Sequence, residues 1–101
     1  MERFYQQVEG GHWRFADAML SPRLRAQLGE NGLRSRYETI ANLDVTLRQE
    51  NARTVVASLT GAERAGPSRT VRFEETVSLV WDGEQWAIDA IARRPLSPGT
   101  R

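Results

Sequence analysis

The chain has 101 residues, 40% of them hydrophobic and 27% charged, with 14 basic side chains against 13 acidic ones and a net charge of +1. That is one globular domain with room for a single core, which excludes a disordered, collagenous or multidomain chain. There is no cysteine and one histidine, so disulfides and thiolate metal sites are excluded and a zinc site would need several carboxylates.

The first forty residues carry a helical period. Phe4, Tyr5 and Val8 share one face at spacings of three and four. Gly10-Gly11 follows, and two glycines inside a helix cost about 2 kcal/mol relative to alanine, so the helix breaks there. A second helix is expected with Trp13, Ala16 and Leu20 on its buried stripe. Ser21-Pro22 reads as an N-cap with proline in the first turn of a short helix carrying Leu24 and Leu28. The stretch from Gly29 to Gly32 is a turn. Leu33, Tyr37 and Ile40 form a further apolar face, and Ser35-Arg36-Tyr37-Glu38 fits a capping box, which predicts a late start for that helix.

From Leu43 the period becomes two. Leu43, Val45 and Leu47 alternate with Asp44, Thr46 and Arg48, and after a turn at Glu50-Asn51-Ala52 the residues Val55, Ala57 and Leu59 alternate with Thr54, Val56 and Ser58. Gly61 to Ser68, containing Gly66-Pro67, is expected as the longest loop. A long strand runs from Arg69 to Trp81, with Phe73, Glu75, Val77, Leu79 and Trp81 on one face and Arg72, Glu74, Thr76, Ser78 and Val80 on the other. Asp82-Gly83 predicts a type I′ hairpin turn, and Trp86, Ile88 and Ala90 continue on the return strand. Residues 1–94 are expected to form the domain, and 95–101, with Pro95 and Pro98, a frayed tail.

Helices followed by four short-linked strands give an α+β fold: an antiparallel four-stranded meander with N-terminal helices packed on one face. Every basic residue is arginine, spread from Arg3 to Arg101 with acids between them. A nucleic-acid surface concentrates such charge in a stripe, so no nucleic-acid partner is expected. No apolar run approaches the length of a membrane span, and the N-terminus lacks the zones of a signal peptide. The expected location is cytoplasmic for a complete protein, or extracytoplasmic for a domain of a longer, anchored chain.

The pattern resembles the nuclear-transport-factor-2-like, cystatin-like cone superfamily, which includes ketosteroid isomerase-like enzymes. The resemblance rests on the Gly-Gly break before Trp13 and on Ala16-Asp17-Ala18-Met19-Leu20-Ser21-Pro22. Thr54-Val55-Val56-Ala57, the strand from Phe73 to Val80, and the ending Trp81-Asp82-Gly83-Glu84-Gln85-Trp86-Ala87-Ile88-Asp89 add to it. It implies a curved sheet wrapped over helices, enclosing a cone-shaped cavity. Family members include small isomerases, polyketide cyclases and dehydratases, and many non-catalytic domains of larger bacterial proteins. This chain has no extra hairpin between its helices and is shorter than the enzymes, which implies a shallower cavity.

Glu75 is the most informative residue. Alternation places it on the covered face, where a carboxylate needs hydrogen bonds or an ion partner. It reads either as a cavity general base, as half of a structural ion pair with Arg53 or another inward arginine, or as a residue turned outward by a bulge near Glu74-Glu75. His12, the side-chain type that titrates near neutrality, stands beside the helix break. Tyr37 is core-facing and its hydroxyl needs a partner. Trp13, Trp81 and Trp86 read as core, or as the lining of a ligand pocket. The candidate pocket is thus His12, Trp13, Tyr37, Glu75, Trp81 and Trp86, with no catalytic residue assigned, no cofactor and no metal. The candidate interface is Val56, Arg72 and Val80 on the open sheet face. The leading functional expectation is a non-catalytic module that holds a small apolar molecule or pairs with itself through that face. The alternative is a cavity isomerase or cyclase with Glu75 as base and Tyr37 or His12 polarising a carbonyl.

Overall fold

A computed structural model describes residues 2–65 and 69–96. Four short helices come first: α1 (Glu2–Glu9), α2 (Trp13–Asp17), α3 (Pro22–Leu28) and α4 (Gly32–Tyr37). Four strands follow: β1 (Ile40–Asn51), β2 (Thr54–Glu63), β3 (Thr70–Trp81) and β4 (Trp86–Pro95). The strands form one open antiparallel sheet in the order β1-β2-β3-β4. The α+β meander expected from the change of period is the observed architecture. Gly66-Pro67 and Pro98 lie outside the described residues.

Each helix is placed by its apolar stripe. Phe4, Tyr5 and Val8 of α1 are buried, and the helix closes at Gly10 and Gly11, where Gly11 takes φ +75°. The second helix stops at Asp17, three residues before the expected Leu20. Met19 N–H and Leu20 N–H reach carbonyls three residues back, and the chain then docks on the sheet edge: Ile88 N–H donates to Met19 O, and Ser21 N–H to Ile88 O. Ser21 caps α3 as its sequence predicts, its Oγ accepting from Leu24 N–H at 3.1 Å with Pro22 in the first turn.

The capping box at Ser35 does not form. The fourth helix starts at Gly32, Ser35 N–H is already bonded to Asn31 O, and Glu38 instead pairs with Arg34 at 2.8 Å. The earlier start brings Leu33 into the core on the same face as Tyr37, and that burial outweighs a cap worth about 1 kcal/mol.

Side chains of alternate parity on the sheet meet these helices. Leu43, Ala57, Leu59, Phe73, Val77 and Ile88 form one core with Phe4, Tyr5, Val8, Leu20, Leu24 and Tyr37. The first two strands run longer than their clearest alternation, so β2 reaches Glu63 where a loop was expected from Gly61. Gly61 is needed there, because a Cβ would lie 2.5 Å from Ile40 Cγ2 and 3.0 Å from Ala41 O beside a β1 bulge.

The β3–β4 turn differs from the expected two-residue form. Trp81 pairs with Trp86, leaving a four-residue loop closed by Asp82 N–H to Gln85 O, and only Gly83 takes positive φ. Asp82 Oδ1 accepts from both Glu84 N–H and Gln85 N–H at 2.8 Å, which explains the aspartate without a type I′ turn. At the other end β4 continues through Pro95, and Leu96 N–H bonds Arg72 O, so the ladder runs past the expected boundary at residue 94.

A bulge in β4 decides what its last half faces. Leu79 pairs with Ile88 but Ser78 pairs with Ala90, leaving Asp89 as the extra residue. Parity therefore changes: Ile88 points at the helices, and beyond the bulge Ile91 and Arg93 do so rather than Ala90 and Ala92.

Candidate functional site

The helix-facing side of β3 reads Phe73, Glu75, Val77, and the register puts Ala57 on one side of Glu75 and Arg93 on the other. Alanine at 57 leaves space over the sheet, which two tyrosines fill from above. Tyr5, from α1, donates its hydroxyl to Glu75 Oε1 at 2.8 Å. Tyr37, from α4, donates to the same carboxylate, at 2.7 Å from Oε1 and 2.9 Å from Oε2.

Arg93 supplies the charge. Its Nε and Nη2 lie 3.1 Å and 3.0 Å from Glu75 Oε2, and its Nη1 donates to Arg36 O at 3.2 Å. The guanidinium stacks over the Phe73 ring at 4.2 Å and near the Tyr37 ring at 5.0 Å, a contact that arginine's planar, weakly hydrated group favours. Arg36 adds a second cation, with Nη2 at 3.8 Å from Glu75 Oε2 and 3.5 Å from Ile91 O. Its Nε is buried without a hydrogen-bond partner.

The Glu75 side chain is 0% exposed. Both its oxygens accept from protein donors. The tyrosines respond to this environment. Burial, then the adjacent Glu75 charge, pushes both hydroxyls well above the ordinary tyrosine value of 10.0. They are fixed donors to a carboxylate, locked in the protonated form. Chemically the arrangement is a buried carboxylate paired with a partly exposed guanidinium, the carboxylate's remaining lone pairs satisfied.

Of the residues singled out from sequence, Tyr37 and Glu75 meet directly. The others are placed elsewhere. His12 is exposed at the helix break, its ring edge-on to exposed Phe15. Trp13 is half-buried against the core and borders a small hollow with Tyr37 and Ile40. Trp81 and Trp86, expected inside, stand 53% and 46% exposed at the hairpin end, with ring centroids 5.5 Å apart in an edge-to-face pair. They keep helix-side parity, and Trp86 borders a surface hollow with Arg3 and Phe4 of α1 and with Met19 rather than entering the core. On the open face Val56 is 6% exposed between Arg48 and Thr76, Val80 is 38% exposed, and Arg72 is exposed. Val56 is therefore withdrawn from contact by its neighbouring strands.

The expected ion pair with an inward arginine forms, through Arg93 and more distantly Arg36 rather than Arg53, and the bulge lies beside Ser78/Leu79 rather than at Glu74-Glu75. Tyr5, Arg36 and Arg93 were not singled out. Tyr5 was legible as a core position, and its hydroxyl needed an acceptor as much as that of Tyr37. Arg93 was hidden, because simple alternation from Trp86 turns it away from the helices. Among the described residues there is no group of three His, Cys, Asp or Glu side chains placed to hold a metal, and no helix is long and apolar enough to cross a membrane.

No protein-family model, curated protein or solved structure matches the chain.

Proposed function

We propose that this chain is a non-catalytic interaction module that works through its surface, with Glu75 as the anchor of a polar core. The observation that carries the reading is the sealed carboxylate. A general base must come within about 2.6–3.2 Å of the proton it removes. Glu75 has no exposed surface and is bonded by Tyr5, Tyr37 and Arg93. Tyr5, Tyr37, Arg93 and Phe73 pack together where a small molecule would have to reach the carboxylate. Helix-first order and a meander covered on one face support the nuclear-transport-factor-2-like resemblance.

Xenon tests this, since it enters dry cavities and leaves filled cores untouched. With methyl-labelled protein under xenon pressure, the Ala57 and Val77 methyl signals are expected to stay in place. Saturable shifts at those methyls would reveal an open cavity and return the ligand-binding and isomerase readings.

A further inference from the structure

We propose that two copies of this chain join along β1, antiparallel about a two-fold axis through Thr46, to make a continuous eight-stranded sheet. The inference rests on the reading of the chain as an interaction module and names its partner.

The two edges of the sheet are treated differently. The β4 edge is occupied: Leu20 bridges Ile88, Ser21 N–H bonds Ile88 O, Asp89 bulges out, and Pro95 removes a donor near the end. The β1 edge has bulges only towards its ends, between Ala41 and Asp44 and between Gln49 and Asn51. From Asp44 to Gln49 the ladder with β2 is regular, and the other edge of β1 has no strand beside it. An unprotected run of this length is a template for another strand. The helical layer is also incomplete here. A groove of about 340 Å³ runs between α1 and β1, and Val45 and Leu47 in its floor are only half-buried. Their β2 neighbours Leu59 and Ala57 are fully covered.

The β1 sequence is complementary to itself in one register. With Thr46 opposite Thr46 of the second copy, Asp44 faces Arg48 and Arg48 faces Asp44. On the helix side Val45 faces Leu47 and Leu47 faces Val45. Every position from 44 to 48 then meets a suitable residue, and each of the two charge pairs joins opposite signs. Asp44 has no ion partner among the described residues, and the exposed Arg48–Glu50 contact at 3.2 Å is easily exchanged. Cross-strand pairs of this kind are the unit of sheet stability. A seam between single strands falls in the small-interface class below about 1,200 Å², so the dimer is expected at roughly 100 μM protein rather than at nanomolar concentration.

Charge exchange is the test. By sedimentation velocity the wild type is expected to dimerise reversibly. Asp44→Arg and Arg48→Asp, each replacing two attractions by two repulsions, are expected to weaken the dimer by about tenfold, and the double variant Asp44→Arg/Arg48→Asp to restore it. Because the chain has no cysteine, Thr46→Cys is expected to form a disulfide-linked dimer under mild oxidation, as opposed strand positions lie about 4.5–5.5 Å apart. Arg48→Cys is expected to stay unlinked, its counterpart being about 14 Å along the seam. A wild type that stays monomeric, or a dimer indifferent to the charge exchange, overturns the β1 seam. A dimer broken instead by Val80→Arg overturns it too while leaving the module reading intact, whereas xenon entry at Ala57 and Val77 removes that reading itself.

Discussion

Arg93 stands directly across the β3–β4 ladder from Glu75, and its guanidinium closes on the carboxylate at 3.0 Å while stacked over Phe73. The pair is formed under two tyrosines, with Glu75 fully buried and Arg93 reaching solvent at its outer side. Removing Arg93 leaves Glu75 charged and desolvated, which costs about 3–5 kcal/mol, whereas removing Glu75 leaves Arg93 with access to water and strands the two tyrosine hydroxyls. Replacing both by apolar groups removes the lone-charge penalty but still leaves the Tyr5 and Tyr37 hydroxyls and Arg36 without their shared acceptor. Glu75→Leu and Arg93→Met are each expected to lower the urea midpoint sharply, and the double variant to lose less than the sum of the two. Strict additivity would show that the pair is not coupled.

The two tyrosines give the fold an alkaline limit. Tyr5 and Tyr37 are the only tyrosines in the chain, and both hydroxyls are held well above the usual 10.0 by burial first and by Glu75 next. The folded state keeps protons that the unfolded state releases, so this contribution is complete below pH 10.0 and falls as pH rises beyond it. Absorbance of tyrosinate is expected to stay silent in the folded protein and to appear in one step, together with loss of circular dichroism. A gradual rise near the ordinary value with the fold intact would contradict the buried donors.

Removing either hydroxyl tests the same contacts one at a time. Hydrogen bonds to a charged acceptor contribute about 1.5–3 kcal/mol. Tyr37→Phe, which loses contacts to both oxygens, is expected to destabilise more than Tyr5→Phe, which loses one. Thermal or urea unfolding of the two variants side by side decides it.

Asp89, freed from the ladder by the bulge, ties the sheet edge to α3. It accepts from Arg23 at 2.8 Å and from Ser21 Oγ at 2.7 Å, and these contacts, Arg23 first, hold its carboxyl below the ordinary 3.8. The lowered value means the contact stabilises the fold above pH 3.8 and is lost as pH falls. In a carboxyl NMR titration Arg23→Gln is expected to move Asp89 back up towards its ordinary value. Ser21→Ala, which also removes the cap on Leu24 N–H, is expected to cost about 1 kcal/mol.

The tryptophans at the hairpin end work as a pair. Edge-to-face rings contribute about 0.5–1.5 kcal/mol beyond their buried area. A double-mutant cycle on Trp81→Ala and Trp86→Ala is expected to return a coupling in that range. A coupling near zero would mean that the half-exposed rings stack without holding the turn.

Much of the architecture is local and was legible. Gly10-Gly11 ends a helix because glycine is costly within one, and Ser21-Pro22 starts one because the cap and the ring both suit a first turn. The shift to a period of two at Leu43 announces the sheet. Local signals also misled where packing outweighed them. The capping box at Ser35 yielded to burial of Leu33, and the Asp82-Gly83 turn widened to four residues through the aspartate's own hydrogen bonds.

The amino-acid order by itself determined a helical layer, a meander, and an acidic residue on the covered face of β3, because these follow from side-chain period and backbone preference within a few residues. Only the tertiary structure decided what that residue meets. One extra residue at Asp89 reverses the parity of the last strand and turns Arg93 inward, and the docking of α1 and α4 brings two hydroxyls from 70 and 38 positions away. Such partners depend on register and helix placement, which are set by the summed packing of the whole chain.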